Sequence, residues 1–148
     1  RLASDYIEGL NILSSMRMCA NVPCQSAIQT ALGGYQSIDD LVKENGRLRI
    51  QRDVTTDMLN GIDGISCVKP KGAMYCFAKV DEKKFNIQND EKMVLDLLSS
   101  EKILLVHGRA FNLTEGTYFR LVFLPHSDVL VPALHRIGNF FRTYKQGA

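Results

Sequence analysis

The chain has 148 residues, enough for one domain with a core of ordinary size. Hydrophobic residues make up 45% and charged residues 23%, a globular balance that excludes a disordered tail, a collagen-like fibre and a coiled coil. Eighteen Lys and Arg against sixteen Asp and Glu leave a formal charge of +2, too small an excess to draw the chain to nucleic acid or to a membrane surface.

No uncharged apolar run approaches the ~18 residues of a membrane span. The first residue is Arg1, and the residues after it lack the basic start and apolar run of a signal peptide, so the expectation is a piece of a longer, cytoplasmic protein.

Helical signals dominate the first third. Tyr6, Leu10, Leu13 and Met16 keep the spacing of an amphipathic helix, with Asp5 near its start. Asn21 is placed to cap a second helix, with Pro23 early in it where a missing N–H costs nothing, and Gly33-Gly34 ends it. Ser37 is predicted to cap a third segment, with Asp39 and Asp40 in the first turn. A longer helix is predicted from Arg47 to Leu59, set off by Asn45-Gly46 and closed by the turn Asn60 to Gly64.

The texture then changes. Ser66 to Lys69 reads as a short strand halted by Pro70, and Ala73 to Val80 as a second strand. Asp90 to Ser100 is an amphipathic helix capped by Asn89, with Met93, Val94, Leu97 and Leu98 on one face. Ile103 to Val106 reads as a buried strand, Gly108 to Gly116 as a loop, and Tyr118 to Leu124 as a strand closed by Pro125. Ser127 is expected to cap a last helix whose apolar side is Leu130, Leu134, Ile137, Phe140 and Phe141. The order predicts an α+β fold, a small and mostly antiparallel sheet with helices on one face.

Chemistry-bearing signals are few. Cysteines at 19, 24, 67 and 76 form no C-x-x-C and no zinc spacing with His107, His126 or His135; they read as reduced thiols packed as small hydrophobes, with no metal site. Phosphate-binding glycine loops, H-E-x-x-H and G-x-S-x-G are all absent. The basic run Arg47, Arg49, Arg52 reads as a solvated helix face.

Arg120 is the exception. It lies inside the apolar strand Tyr118-Phe119-Arg120-Leu121-Val122-Phe123-Leu124, and alternation puts it on the face of Tyr118, Val122 and Leu124. A guanidinium there is costly to bury unpaired. Either it pairs with a protein carboxylate, or it waits at a cleft for an anion, which its planar fork suits. Gly108 comes directly after a strand end and permits a tight bend or a close backbone approach. Tyr75 is either core or cleft wall.

Four blocks carry a resemblance. The segment from Cys19 to Gln36 (CANVPCQSAIQTALGGYQ), then SCVKPKGAMYCFAKVDEKKFNI, DEKMVLDLLSSEKILLVHGRAFN and YFRLVFLP, stand in the same order as in the C-terminal part of the alanine-type branch of the class I aminotransferases, which the chain strongly resembles. These are fold-type I, pyridoxal-phosphate enzymes, and the resemblance covers about Tyr6 to Tyr144.

The resemblance implies a C-terminal fragment: residues 1–35 as the end of the large domain and bridging helices, 36–148 as the small domain. The parent would move an amino group between alanine and a 2-oxo acid such as 2-oxoglutarate, as a homodimer. The family's Schiff-base lysine sits in a Ser-Lys motif, and this chain has no Ser-Lys dipeptide, so the chain alone is expected to be inactive. By position Arg120 resembles the arginine that grips the substrate's α-carboxylate. Gly108 to Phe111 resembles the loop beside it, where the family often has Pro-Gly-Ser/Thr-x-Phe; Arg109 is a departure. Asn21 lies in a segment resembling one that approaches the partner's cofactor. A stand-alone carboxylate-binding or dimerisation module is the alternative reading.

Overall fold

A computed structural model describes residues 3–147. The chain divides into two compact units, Arg1–Ile38 and Asp39–Ala148.

The first unit is built on two helices. α1 spans Ser4–Met16 and α2 spans Val22–Gly33. Asn21 caps α2 as expected: its side-chain oxygen accepts from the Cys24 N–H at 3.1 Å. Neither helix has a buried residue. Tyr6, Leu10, Leu13 and Met16 form the apolar stripe of α1, yet all four are exposed. Cys19 and Cys24 are exposed too, which corrects the expectation that all four cysteines pack as core hydrophobes.

The second unit holds the sheet. α3, Ser37–Val42, leads into it from the boundary, with Ser37 its first helical residue. α4 covers Arg47–Asn60 and is followed by β1, Ile65–Cys67, and β2, Tyr75–Val80. A one-turn helix, α5, spans Glu82–Phe85, capped by Asp81, whose carboxylate accepts from Lys83 and Lys84 N–H. α6 runs Asp90–Glu101, with the Asn89 side chain accepting from Lys92 N–H at 2.9 Å. β3 is only Val106–His107; a single 3-10 turn, Gly108–Phe111, comes after it. β4, Thr117–Val122, and α7, Ser127–Thr143, complete the unit.

The sheet order is β1-β2-β4-β3 and every pairing is antiparallel. Burial alternates along β2 and β4, so one face is core and the other is not. Cys76, Ala78, Val80, Phe119 and Leu121 point into the core. Leu59 of α4, Met93 and Leu97 of α6, and Leu134, Ile137 and Phe141 of α7 join them, which makes this the helical side of an α+β layer. The fold class predicted from the element order is the one observed.

Element ends differ where local backbone decides. β2 starts at Tyr75 because Ala73 has φ 56°, a left-handed conformation that breaks an extended run. The strand expected over Ile103 to Val106 shrinks to Val106–His107. It lies at the sheet edge, Lys102 leaves α6 at φ 54°, and Leu104 is 75% exposed. β1 starts at Ile65 and ends at Cys67 rather than running from Ser66 to Lys69, and β4 spans Thr117–Val122 rather than Tyr118 to Leu124. Ser127 is the first residue of α7, not its cap; His126 takes that position without a capping hydrogen bond from its side chain.

Candidate carboxylate site on the open sheet face

The sheet face away from the core is lined with aromatic rings. Register sets Phe77 and Val106 on either side of Arg120, with Tyr75 opposite Val122 one step along. Phe77 stacks on Tyr118 at 5.5 Å between centroids and meets Phe111 edge-on at 5.7 Å. Lys79 stands 6.0 Å over the Tyr118 ring.

Arg120 sits at the centre. Its guanidinium carbon is 4.6 Å from the ring centroid of Tyr75 and 4.6 Å from that of Phe111. Both lie within cation–π range. Nε is buried with no hydrogen-bond partner. Among the described residues no carboxylate pairs with Arg120, while ten other pairs form across the chain. Of the two alternatives the sequence left open, the structural ion pair is therefore not made. What remains is a cation fixed by two rings with its charge uncompensated, a geometry suited to a planar anion.

The turn carrying Phe111 is held from below. Gly108 is buried, and a Cβ there would stand 3.1 Å from the Tyr118 Cβ. Its glycine serves close backbone approach to β4, not positive φ. Asp90, 3% exposed, accepts from the Arg109 backbone N–H at 3.0 Å. The Arg109 Nε and His107 Nδ1 both lie 3.6 Å from the same carboxylate.

The structure thus brings together Arg120, Tyr75 and Phe111, with Gly108 beneath the turn. Asn21 belongs to the other unit, where its side-chain oxygen is engaged in capping α2. Sequence reasoning missed Asp90. It reads as one more acid in a helix's first turn, and nothing local marks it as a partner of residues far along the chain. Among the described residues no group of three or more His, Cys, Asp or Glu could hold a metal ion, and no helix is long and apolar enough to cross a membrane.

A profile of the family described as "Aminotransferase class I and II" matches residues 3–137. The chain belongs to this family. The glutamate-pyruvate aminotransferase AlaA of Haemophilus influenzae is 56% identical over 144 residues, covering 97% of this chain and 36% of that protein. An alanine aminotransferase of Mycobacterium tuberculosis is 53% identical over 144 residues, with 97% of this chain and 34% of that protein covered. Among solved structures, an aminotransferase from Escherichia coli superposes with a TM-score of 0.84 at 53% identity, covering 97% of this chain and 36% of that one. An alanine aminotransferase from Pyrococcus furiosus gives 0.74 at 35% identity, with 94% and 34% covered. The chain thus spans about a third of the length of the relatives it matches.

Proposed function

We propose that the whole protein is a pyridoxal-phosphate-dependent aminotransferase that moves an amino group between alanine and a 2-oxo acid, 2-oxoglutarate foremost. In this reading the chain is its C-terminal part, with residues 1–35 ending the large domain and 36–148 forming the small domain. Arg120 grips the α-carboxylate of the amino acid. The observation that carries this role is a guanidinium within 4.6 Å of the Tyr75 and Phe111 ring centroids with its Nε buried and unpartnered.

The cofactor supplies the electron sink for amino transfer. No lysine of this chain stands in a Ser-Lys dipeptide, and all are exposed except Lys84, which is half-buried and paired with Asp63. No step through the cofactor is therefore assigned to these residues.

Their contribution is binding and orientation. The two rings hold the guanidinium in place, and its planar fork is suited to meet a carboxylate through two parallel hydrogen bonds. A substrate held at its carboxylate keeps its Cα–H bond fixed relative to the groups that act on it.

The homodimer belongs to the same proposal. The exposed apolar residues of α1 and α2 support a further protein surface against the first unit. A cytoplasmic location is supported by the free thiols of Cys67 and Cys76 in the core.

The test is alanine and 2-oxoglutarate turnover by the whole protein with pyridoxal phosphate, alongside its Arg120→Ala variant. Removing a charge-assisted clamp costs about 2–4 kcal/mol, so kcat/KM for alanine falls more than tenfold through a raised KM. Near-wild-type kinetics in the variant would remove Arg120 from the site. The 148-residue chain alone is expected to give no turnover; activity in it would overturn the fragment reading.

A further inference from the structure

A buried carboxylate stands against the turn that carries Phe111. Asp90 opens α6, and only 3% of it is exposed. Burying a charged group is costly, so its partners indicate what it serves. Oδ1 accepts from the adjacent Glu91 N–H at 3.0 Å, the ordinary role of an acid at a helix start. The other contacts are not local. Oδ2 accepts from the Arg109 backbone N–H at 3.0 Å, Arg109 Nε lies 3.6 Å from Oδ1, and His107 Nδ1 lies 3.6 Å from Oδ2. These contacts go to the two residues flanking Gly108.

The Arg109 peptide is fixed from both sides. Asp90 takes its N–H, and its carbonyl accepts from Asn112 N–H at 3.0 Å. Between those two bonds the turn delivers Phe111, whose ring centroid stands 4.6 Å from the Arg120 guanidinium carbon. The Arg109 side chain, 59% exposed, is drawn back toward α6 by the same carboxylate.

We infer that Asp90 is a positioning residue for the carboxylate clamp: it anchors the turn at Arg109 so that Phe111 stays over Arg120. The inference rests on the reading of Arg120 as the substrate-carboxylate clamp. With Arg120 still in place to orient the substrate, a displaced Phe111 weakens ground state and transition state together and shows chiefly as KM.

The experiment uses the whole protein with pyridoxal phosphate and alanine as the varied substrate. Variants are Asp90→Ala, Asp90→Asn, Phe111→Ala, the Asp90→Ala/Phe111→Ala double variant, and Arg120→Ala. Asp90→Ala is expected to raise KM about fivefold, the equivalent of one lost cation–π contact, with kcat within about twofold. Asp90→Asn keeps an acceptor for the Arg109 N–H and recovers most of the KM. In the Phe111→Ala background, Asp90→Ala adds less than about twofold, because its effect runs through that ring.

A wild-type KM in Asp90→Ala overturns the inference. So does a full fivefold effect in the Phe111→Ala background. If Asp90→Ala does not fold, Asp90→Ser takes its place in the same cycle, since it serves the Glu91 N–H but is too short to reach Arg109. Arg120→Ala separates the two ideas. A wild-type KM there defeats the clamp itself, whereas an impaired Arg120→Ala beside an unaffected Asp90→Ala defeats only the positioning role.

Discussion

Gln146 ties the end of the chain to the start of the helix that carries Asp90, and its loss has a calculable consequence. The residue is 3% exposed. Its Oε1 accepts from the backbone N–H groups of Gln88 and Asn89, and its Nε2 donates to the Asn89 carbonyl at 2.7 Å. Gln146→Ala removes all three bonds at once. A buried polar group left without a partner costs about 1–3 kcal/mol. Gln88 and Asn89 are exposed residues, so water replaces part of the loss and the low end applies. Three groups at about 1 kcal/mol each give roughly 2–3 kcal/mol, or about a 30- to 150-fold change in an opening equilibrium. The assay is hydrogen exchange in the whole protein, read at peptides covering residues 82–93. Their protection is expected to fall by that factor, while peptides over β2 and β4 keep theirs. Unchanged protection at the start of α6 would refute the reasoning, because it would mean the three bonds contribute nothing to holding that end.

The same geometry sets three further outcomes. The Tyr144 hydroxyl donates to Asp96 Oδ2 at 2.8 Å; burial first and this bond second push its pKa up to about 12. A raised pKa favours folding below the unfolded value of about 10 and is lost as pH climbs toward 12, so Tyr144→Phe should flatten part of the alkaline stability loss in a thermal-melt series over that range. In acid the sign reverses. Burial alone would raise the Asp96 pKa, but hydrogen bonds from Lys92 and Tyr144 outweigh it and hold the carboxyl below its usual range. Asp96→Asn should therefore remove a stabilising contribution present above about pH 4 and lost below it, read by acid titration of stability. Gly64 has φ 93°, and a Cβ there would stand 2.7 Å from the Phe85 ring, itself in the core. Gly64→Ala should destabilise by about 2–4 kcal/mol in chemical denaturation, from backbone strain plus overpacking.

Much of this arrangement is legible in the sequence, for identifiable reasons. α6 and α7 declare themselves because Met93, Val94, Leu97 and then Leu130, Leu134, Ile137, Phe141 keep one helical face apolar over several turns. Arg120 stands out because strand alternation and the cost of an unpaired guanidinium work on one short segment. The pair of rings beside it is not legible in the same way. Tyr75 comes from β2 and Phe111 from the turn after β3, and only the register of the sheet brings the two rings to the same cation. Asp90 is hidden by its own ordinariness, since an acid in a first turn has a sufficient local explanation. α5 is too short for a periodic signal, and only the Asp81 cap hints at it. The apolar run from Ile103 to Val106 misleads because it approaches the sheet at an edge, where two residues pair and Leu104 is left outside.

Whether Arg120 reads the substrate's carboxylate is decided by comparing alanine with ethylamine, which keeps the amine and methyl but lacks that group, in the whole protein with pyridoxal phosphate. Wild type should prefer alanine by roughly 30- to 700-fold in kcat/KM, the equivalent of about 2–4 kcal/mol. In Arg120→Ala that preference should collapse to within about tenfold, through loss of alanine turnover rather than gain of ethylamine turnover. A variant that still prefers alanine by the wild-type ratio would assign the carboxylate to a group other than Arg120.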